Sequence, residues 1–239
     1  MSRSMPGKLY LIPNVIADDT QNVVITAQVR NELPHIVHFL AEDIRTARRY
    51  LSSLRIYESI EPLHFSVLNK DTPPQELEEL FEPVVKGHDM GVISESGCPG
   101  VADPGALAVK YAHDRGIRVV PLVGPSSLLL ALMASGLNGQ RFAFQGYLPI
   151  DPREAAKVVK DFERESRQKN QTQLFIETPY RNNAVFDVLI KNLNPETLLC
   201  VAVEVTGKEE SILTQPVSRW RKTSPTWPKA PAIFLFLAI

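Results

Sequence analysis

The stretch VISESGCPGVADPG, from Val92 to Gly105, decides the fold that we predict for this chain. It begins at the end of a short apolar run and then places three glycines and two prolines within a few residues, ahead of the periodic segment Ala106 to His113. This pattern predicts a buried strand, a tight loop and a helix. Glycine permits positive φ, whereas proline fixes φ, so the loop has a rigid shape. Open α/β sheets bind ligands at the carboxyl ends of their strands, so we predict a binding loop around Asp103.

Apolar runs and helical patterns alternate on both sides of this loop. They predict an α/β protein with a mainly parallel sheet over residues 8–122. A second α/β domain follows over 123–239, and it has a mixed sheet because consecutive strands without helices follow Thr197. Single helices are expected at Val23–Leu33 and from Pro73 to Val85.

The composition is that of an ordinary soluble protein and excludes several classes. The 239 residues are 44% hydrophobic with a formal net charge of −1, so no single-sign field indicates a nucleic-acid or membrane partner. No apolar run is long enough to span a membrane. Cys98 and Cys200 are far apart and lack metal-ligand spacing, which predicts neither a disulfide framework nor a metal site and favours the reducing cytoplasm.

A basic helix follows the second predicted strand. Asp43 can cap a helix from Ile44 to Leu54, and four arginines then share one face: Arg45, Arg48, Arg49 and Arg55. Such a face is either solvated or binds an anion or RNA, and both interpretations stay open.

Polar residues at other predicted strand ends complete the candidate site. Ser126 and Ser127 follow Gly124-Pro125 and precede a very apolar helix, where a capping and ligand-contact role is favoured over a nucleophilic one. Glu42, Asp43, Glu95 and Glu177 also lie at strand ends, where a carboxylate acts either as a helix cap or as a general base.

Six segments carry a family resemblance, in order along most of the chain: FLAEDIRTARRYL at 39–51, VISESGCPGVADPG at 92–105, PLVGPSSLLLALMASGL at 121–137, FAFQGYLP at 142–149, LFIETPYR at 174–181 and VAVEVTGKEE at 201–210. Together they resemble the tetrapyrrole methylase family, the class III S-adenosyl-L-methionine (SAM) methyltransferases. The nearest branch is similar to the ribosomal RNA small-subunit methyltransferase I proteins, which methylate a cytidine 2′-hydroxyl.

The resemblance implies two α/β domains with SAM in the cleft between them, a homodimer, and ribosomal RNA or the small ribosomal subunit as substrate. The cofactor contacts that it implies are Pro13, Asp103, Ala106, Ser126, Ser127, Ile176, Glu177, Ala202 and backbone near Ala230. The catalytic candidates are Glu42, Asp43 and Glu95. Candidates for contacts to RNA are Arg45, Arg48, Arg49 and Arg181.

The chain departs from the family pattern in three ways. The first loop reads PNVIADD, without the family's glycine, and Ser94-Glu95-Ser96-Gly97 replaces the usual S-D-A-G. The chain is also shorter than typical members of the branch. Two alternatives therefore stay open: a methyltransferase acting on a tetrapyrrole or other small molecule, and a non-catalytic SAM-binding module.

Overall fold

The computed structural model describes residues 5–239, which form two compact units that divide between Ser126 and Ser127. Each unit is built on one five-stranded sheet. The elements of the first unit are β1 Leu9–Ile12, α1 Gln21–Val24, α2 Ala27–Glu32, a 3-10 turn Leu33–His35, β2 His38–Ala41, α3 Ile44–Leu54, β3 His64–Val67, α4 Glu76–Leu80, α5 Glu82–Val85, β4 Met90–Ile93, α6 Gly105–Asp114 and β5 Val119–Pro121. Those of the second unit are α7 Ser127–Ser135, β6 Phe142–Phe144, α8 Pro152–Lys169, β7 Thr172–Glu177, α9 Asn182–Asn192, β8 Leu198–Val203, β9 Ser211–Pro216, α10 Val217–Trp220 and β10 Ala232–Leu237.

The first sheet is parallel in all four pairings, in the order β3-β2-β4-β1-β5. Alternate residues of its strands enter two apolar clusters: Tyr10 and Phe39 pack with α3, whereas Leu9 and Leu40 pack with α6. The sheet is therefore buried on both faces, as parallel sheets generally are. All five strands deliver their carboxyl ends to one edge, where the predicted binding loops lie.

The second sheet has the order β6-β7-β10-β8-β9. Only β6 and β7 pair in parallel, and the other three pairings are antiparallel. Both the parallel first sheet and the mixed second sheet confirm the α/β fold class predicted from the sequence.

Two of the predicted helices are broken. The segment expected to form one helix over Val23–Leu33 forms α1 and α2, because Ile25 is extended and the Thr26 hydroxyl accepts a hydrogen bond from the Val29 N–H at 3.3 Å. A threonine that caps a new helix competes with continuation of the old one. The segment from Pro73 to Val85 likewise forms α4 and α5, with Pro83 in the first turn of α5, where its missing N–H costs nothing.

Within the described residues, 5–239, no helix combines the length and the apolar character needed to cross a membrane.

Three histidines meet at the opposite, amino-terminal edge of the first sheet. The His38 ring stacks on His64, with centroids 4.9 Å apart, and lies 5.5 Å from the His88 ring. Burial lowers the pKa of His38 below its ordinary value, and repulsion from His64 and His88 lowers that pKa further. Three glutamates line the neighbouring cavity with His38 and His64: Glu76, Glu79 and Glu82.

We expect His38 to make the protein less stable in mild acid. Because the folded state lowers the pKa of His38, the folded protein binds fewer protons than the unfolded chain, so stability present above the ordinary pKa of 6.5 is lost as pH falls. Urea unfolding gives the free energy of unfolding at about pH 7 and about pH 5. The decrease in this free energy between the two pH values should be smaller for His38→Gln than for wild type. The control His113→Gln removes an exposed imidazole and should keep the wild-type loss. An unchanged loss in His38→Gln would contradict this assignment.

Candidate active site

The loop after β1 is fastened to the loop after β4 by one buried side chain, Asn14. Its amide nitrogen donates to the carbonyls of Ser94 and Glu95 at 3.0 and 3.1 Å, and its amide oxygen accepts from the Val15 N–H at 2.8 Å. The Asn14 backbone N–H also donates to the Gly97 carbonyl at 2.9 Å. The two loops therefore hold a fixed mutual position, and Glu95 is fixed with them.

The glycine-rich loop between β4 and α6 is organised around Asp103. One of its carboxylate oxygens, Oδ1, accepts hydrogen bonds from the backbone N–H groups of Gly100 and Gly105, at 2.8 and 2.7 Å. A Cβ at Gly105 would lie only 2.7 Å from that oxygen, so the position requires glycine. Asp103 thus shapes the loop, whereas Ala106, in the first turn of α6, is exposed.

The segment after β5 packs directly on the end of β1. A Cβ at Gly124 would lie 2.1 Å from the Pro13 Cβ, so only glycine permits this approach. The Pro13 carbonyl accepts a hydrogen bond from the Tyr50 hydroxyl at 2.6 Å, and the Cys98 thiol donates to the Pro125 carbonyl at 3.2 Å. Burial raises the pKa of the Cys98 thiol, which suits a packed side chain rather than a nucleophile.

The three candidate bases differ in their surroundings. Partial burial raises the pKa of the Glu95 carboxyl, and the nearby negative charges of Glu42, Asp43 and Asp103 raise it further. Asp43 has a lowered pKa instead, because the Thr46 backbone N–H donates to it at 2.6 Å at the start of α3, as the predicted cap requires. Glu42 is exposed. A carboxylate with a raised pKa is the better proton acceptor, which favours Glu95.

A cavity of about 320 Å³ opens beside Glu95. Its other walls come from the loop after β1 and from one face of α3. On α3 the lining residues are Thr46, Arg49, Tyr50 and Ser53.

The basic face of α3 divides in the structure. Arg49 lines the cavity, whereas Arg48 stacks over the Phe65 ring, with its guanidinium carbon 5.4 Å from the ring centroid. Arg45 is exposed in the first turn of the helix, and Arg55 adopts a left-handed conformation just after its end.

In the second unit, Arg181 and Glu177 form a pair. The Arg181 guanidinium lies 3.1 Å from the Glu177 carboxylate, which is 1% exposed, and it donates to the carbonyls of Leu148 and Pro149. The other carboxylate oxygen of Glu177 accepts from the Thr178 N–H at 2.8 Å. Arg181 is therefore engaged within its own unit.

The remaining predicted cofactor residues of the second unit differ in accessibility. Ser127 begins α7 and, like Ile176 in β7, is half-buried. Ala202 is fully buried and paired with strands on both sides, so it contributes to the wall of the core. The Ala230 carbonyl accepts a hydrogen bond from the Asn182 amide at 2.8 Å.

The first unit offers groups that fit a nucleoside-type cofactor. Bare backbone at Gly97 and Gly100 in the glycine-rich loop permits close approach, and in the first turn of α6 the Ala106 N–H has no partner among residues 5–239. The half-buried Ser126 hydroxyl makes no hydrogen bond in the described part of the chain. No group of three or more His, Cys, Asp or Glu side chains among residues 5–239 could hold a metal ion.

Sequence reasoning missed the residues that fix the site: Asn14, Tyr50, Thr46 and Ser53. The spacing of Thr46, Arg49, Tyr50 and Ser53 follows the i, i+3, i+4, i+7 rule and could have revealed a shared face. For Asn14 the only local signal was its place at the end of a predicted strand.

Known proteins with similar sequences share one description. No protein-family model matches the chain. A protein of Xylella fastidiosa (strain Temecula1 / ATCC 700964), described as ribosomal RNA small subunit methyltransferase I, is 30% identical over 88% of this chain and 72% of its own length. A protein of Escherichia coli O157:H7 with the same description is 29% identical over 88% of this chain and 70% of its own length.

Two solved structures have a similar fold. The methyltransferase CobJ superposes with a TM-score of 0.63 at 18% identity, covering 97% of this chain and 94% of its own. Uroporphyrin-III-C-methyltransferase from Thermus thermophilus gives a TM-score of 0.56 at 17% identity, covering 97% and 92%. These identities show the shared fold alone. The sequence relatives go further, because 30% identity extends over most of both chains: the chain belongs to the ribosomal RNA small subunit methyltransferase I family.

Proposed function

We propose that this protein is a SAM-dependent methyltransferase that modifies ribosomal RNA of the small ribosomal subunit, at the 2′-hydroxyl of a cytidine. The observation that carries the proposal is the 30% identity with a ribosomal RNA small subunit methyltransferase I over 88% of the chain. The raised pKa of Glu95 beside a cavity supports it, because a ribose hydroxyl needs a proton acceptor.

The cofactor contacts proposed for the first unit are Pro13, Asp103, Ala106 and Ser126. Asp103 holds the glycine-rich loop in shape, and the Pro13 contact with Gly124 keeps the two neighbouring loops close. In the second unit we assign contacts to Ser127, Ile176 and Glu177, with Ala202 and Ala230 in the supporting wall. Bound SAM supplies a methyl group already activated by its sulfonium, so the protein mainly positions the acceptor and excludes water.

Glu95 is the proposed general base. When the acceptor hydroxyl is methylated, the proton that it loses would pass to the Glu95 carboxylate. The neighbouring charges of Glu42 and Asp43 favour this proton transfer, because a proton on Glu95 relieves their repulsion.

For the RNA, Arg45, Arg48 and Arg49 of α3 supply the positive charge. They lie on the helix that borders the cavity, and phosphate contacts give RNA binding most of its strength. Arg181 is better assigned to positioning Glu177, because its guanidinium already binds that carboxylate and two carbonyls.

We further propose that the protein works in the cytoplasm as a homodimer. Cys98 and Cys200 are both free thiols, which suits a reducing compartment. Sedimentation equilibrium should give a mass near twice the 26.7 kDa of one chain, because the family resemblance implies a homodimer. A single species at 26.7 kDa would contradict the dimer without affecting the cofactor assignment.

Calorimetric titration with SAM tests the cofactor site. Wild type should bind in the micromolar range, about −8 kcal/mol. Asp103→Ala should weaken binding by ~10-fold or more, because two loop N–H groups lose their acceptor. Ser127→Trp should block the site by its bulk. Asp114→Ala removes an exposed acid on α6 and should bind as wild type does. Absence of SAM binding by wild type would overturn the proposed function.

Methyl transfer to unmethylated small ribosomal subunits tests the base. Glu95→Gln should lower kcat by roughly 10²–10⁴-fold while SAM affinity is retained, since the amide cannot accept the proton. In wild type the rate should fall as pH decreases through the raised pKa of Glu95, and this pH dependence should disappear in the variant. The Asp43→Asn variant keeps a good capping residue, so its kcat should fall much less than that of Glu95→Gln. If Glu42→Gln shows the large loss and Glu95→Gln does not, Glu95 is not the base.

A further inference from the structure

We propose that the cavity between the loop after β1 and helix α3 receives the acceptor nucleoside, extruded from the RNA as a single unit. This inference rests on the proposed function and assigns it an acceptor site. A nucleotide that enters a pocket of this kind has to leave its stack, as it does in enzymes that act on single bases.

The size of the cavity suits one nucleoside. Its volume is about 320 Å³, which lies at the lower end of the roughly 300–1,000 Å³ typical of small-molecule sites. A tetrapyrrole macrocycle is several times larger than a single base with its ribose, so a site of this volume favours the nucleoside over the macrocycle.

The walls of the cavity are held in place before any ligand binds. Asn14 joins the loop after β1 to the loop that carries Glu95, and the Tyr50 hydroxyl ties α3 to the Pro13 carbonyl. The Thr20 hydroxyl donates to the Ala17 carbonyl at 2.6 Å, which closes the far end of the first loop. A preformed site of this kind loses little entropy when a ligand enters.

The side chains offer three kinds of contact that an extruded nucleoside needs. Val15 and Ile16 are half-buried and apolar, so they suit the face of a base. Asp18 and Asp19 provide carboxylates, which accept hydrogen bonds from an exocyclic amine such as that of cytosine. The Arg49 guanidinium makes no hydrogen bond or ion pair among residues 5–239 and has the fork geometry for a phosphate.

The position of the cavity places the acceptor next to the proposed base. Glu95 lines the cavity and follows β4, which is the neighbour of β1 in the sheet. The proposed cofactor residues Asp103 and Ala106 follow the same strand but precede α6, which covers the other face of the sheet from α3. Bound SAM and the acceptor nucleoside can therefore approach the same strand ends from opposite faces of the sheet.

A matched pair of variants tests this assignment. Ser53 lines the cavity and is half-buried, whereas Ser52 is exposed on α3 and is not among the cavity residues. Ser53→Trp should fill the cavity and lower kcat/KM for unmethylated small ribosomal subunits by ~100-fold or more, the scale expected when an acceptor is misplaced. Its SAM affinity by calorimetry should equal that of wild type. Ser52→Trp should match wild type in both measurements.

A second pair keeps the test decisive if Ser53→Trp folds poorly. Arg49 is exposed, so Arg49→Glu leaves the core intact and should raise KM for the subunits, whereas Ser52→Glu adds the same charge outside the cavity and should not. Saturation-transfer NMR with cytidine 5′-monophosphate as probe should show contact with wild type and none with Ser53→Trp. Full activity and probe binding in a folded Ser53→Trp would overturn the assignment, as would full activity in Arg49→Glu.

The outcomes separate this inference from the proposed function. Wild type that binds SAM but methylates no ribosomal subunit would overturn the proposed function, and the acceptor site with it. Wild type that methylates the subunits while either folded cavity variant, Ser53→Trp or Arg49→Glu, keeps full activity would overturn the acceptor site alone.

Discussion

The buried amide of Asn14 is the contact on which the candidate site depends. It satisfies two carbonyls of the β4 loop while its own oxygen is bonded to the Val15 N–H, so two separate chain segments are fixed by one side chain. Buried polar groups that lose such a partner cost about 1–3 kcal/mol each. Both the backbone position of Glu95 and the shape of the cavity wall depend on this clamp, since each lies on a loop that Asn14 holds.

At the carboxyl-terminal edge of the first sheet, the Glu95 carboxylate differs from those of Asp43 and Asp103 in its hydrogen bonds. Asp103 and Asp43 each accept hydrogen bonds from backbone N–H groups, and those to Asp43 lower the pKa of its carboxyl. Glu95 has no such bonds among the described residues, and it feels the charge of both. Arg49 of α3 supplies the opposite charge at the cavity. The edge therefore has a carboxylate with a raised pKa, Glu95, and a guanidinium, Arg49, at one cavity, and the two form no ion pair among residues 5–239.

The sequence was most informative where a signal is local. Residues Ile44–Leu54 form the predicted helix with Asp43 as its cap, because capping depends on neighbours three residues apart. The break at Ile25 was missed because a threonine at position 26 can either continue the first helix or cap a second one. The division of the arginine face depends on Phe65, which packs beside Arg48 only through strand pairing. Contacts set by tertiary pairing in this way leave no local pattern, and neither does the engagement of Arg181 with the Leu148 carbonyl.

The missing glycine of the first loop has a physical consequence that follows from where the loop is clamped. Pro13 keeps its close contact with Gly124, and the Asn14 side chain holds the loop after β4, so the start of the PNVIADD loop is fixed in place. Beyond that point Asp19 has a positive φ of 61°, a conformation that aspartate tolerates better than most residues. The altered residues line the cavity. A loop that is fixed at its start and altered where it lines the cavity can change which molecule the cavity binds while the geometry of the strand ends is preserved.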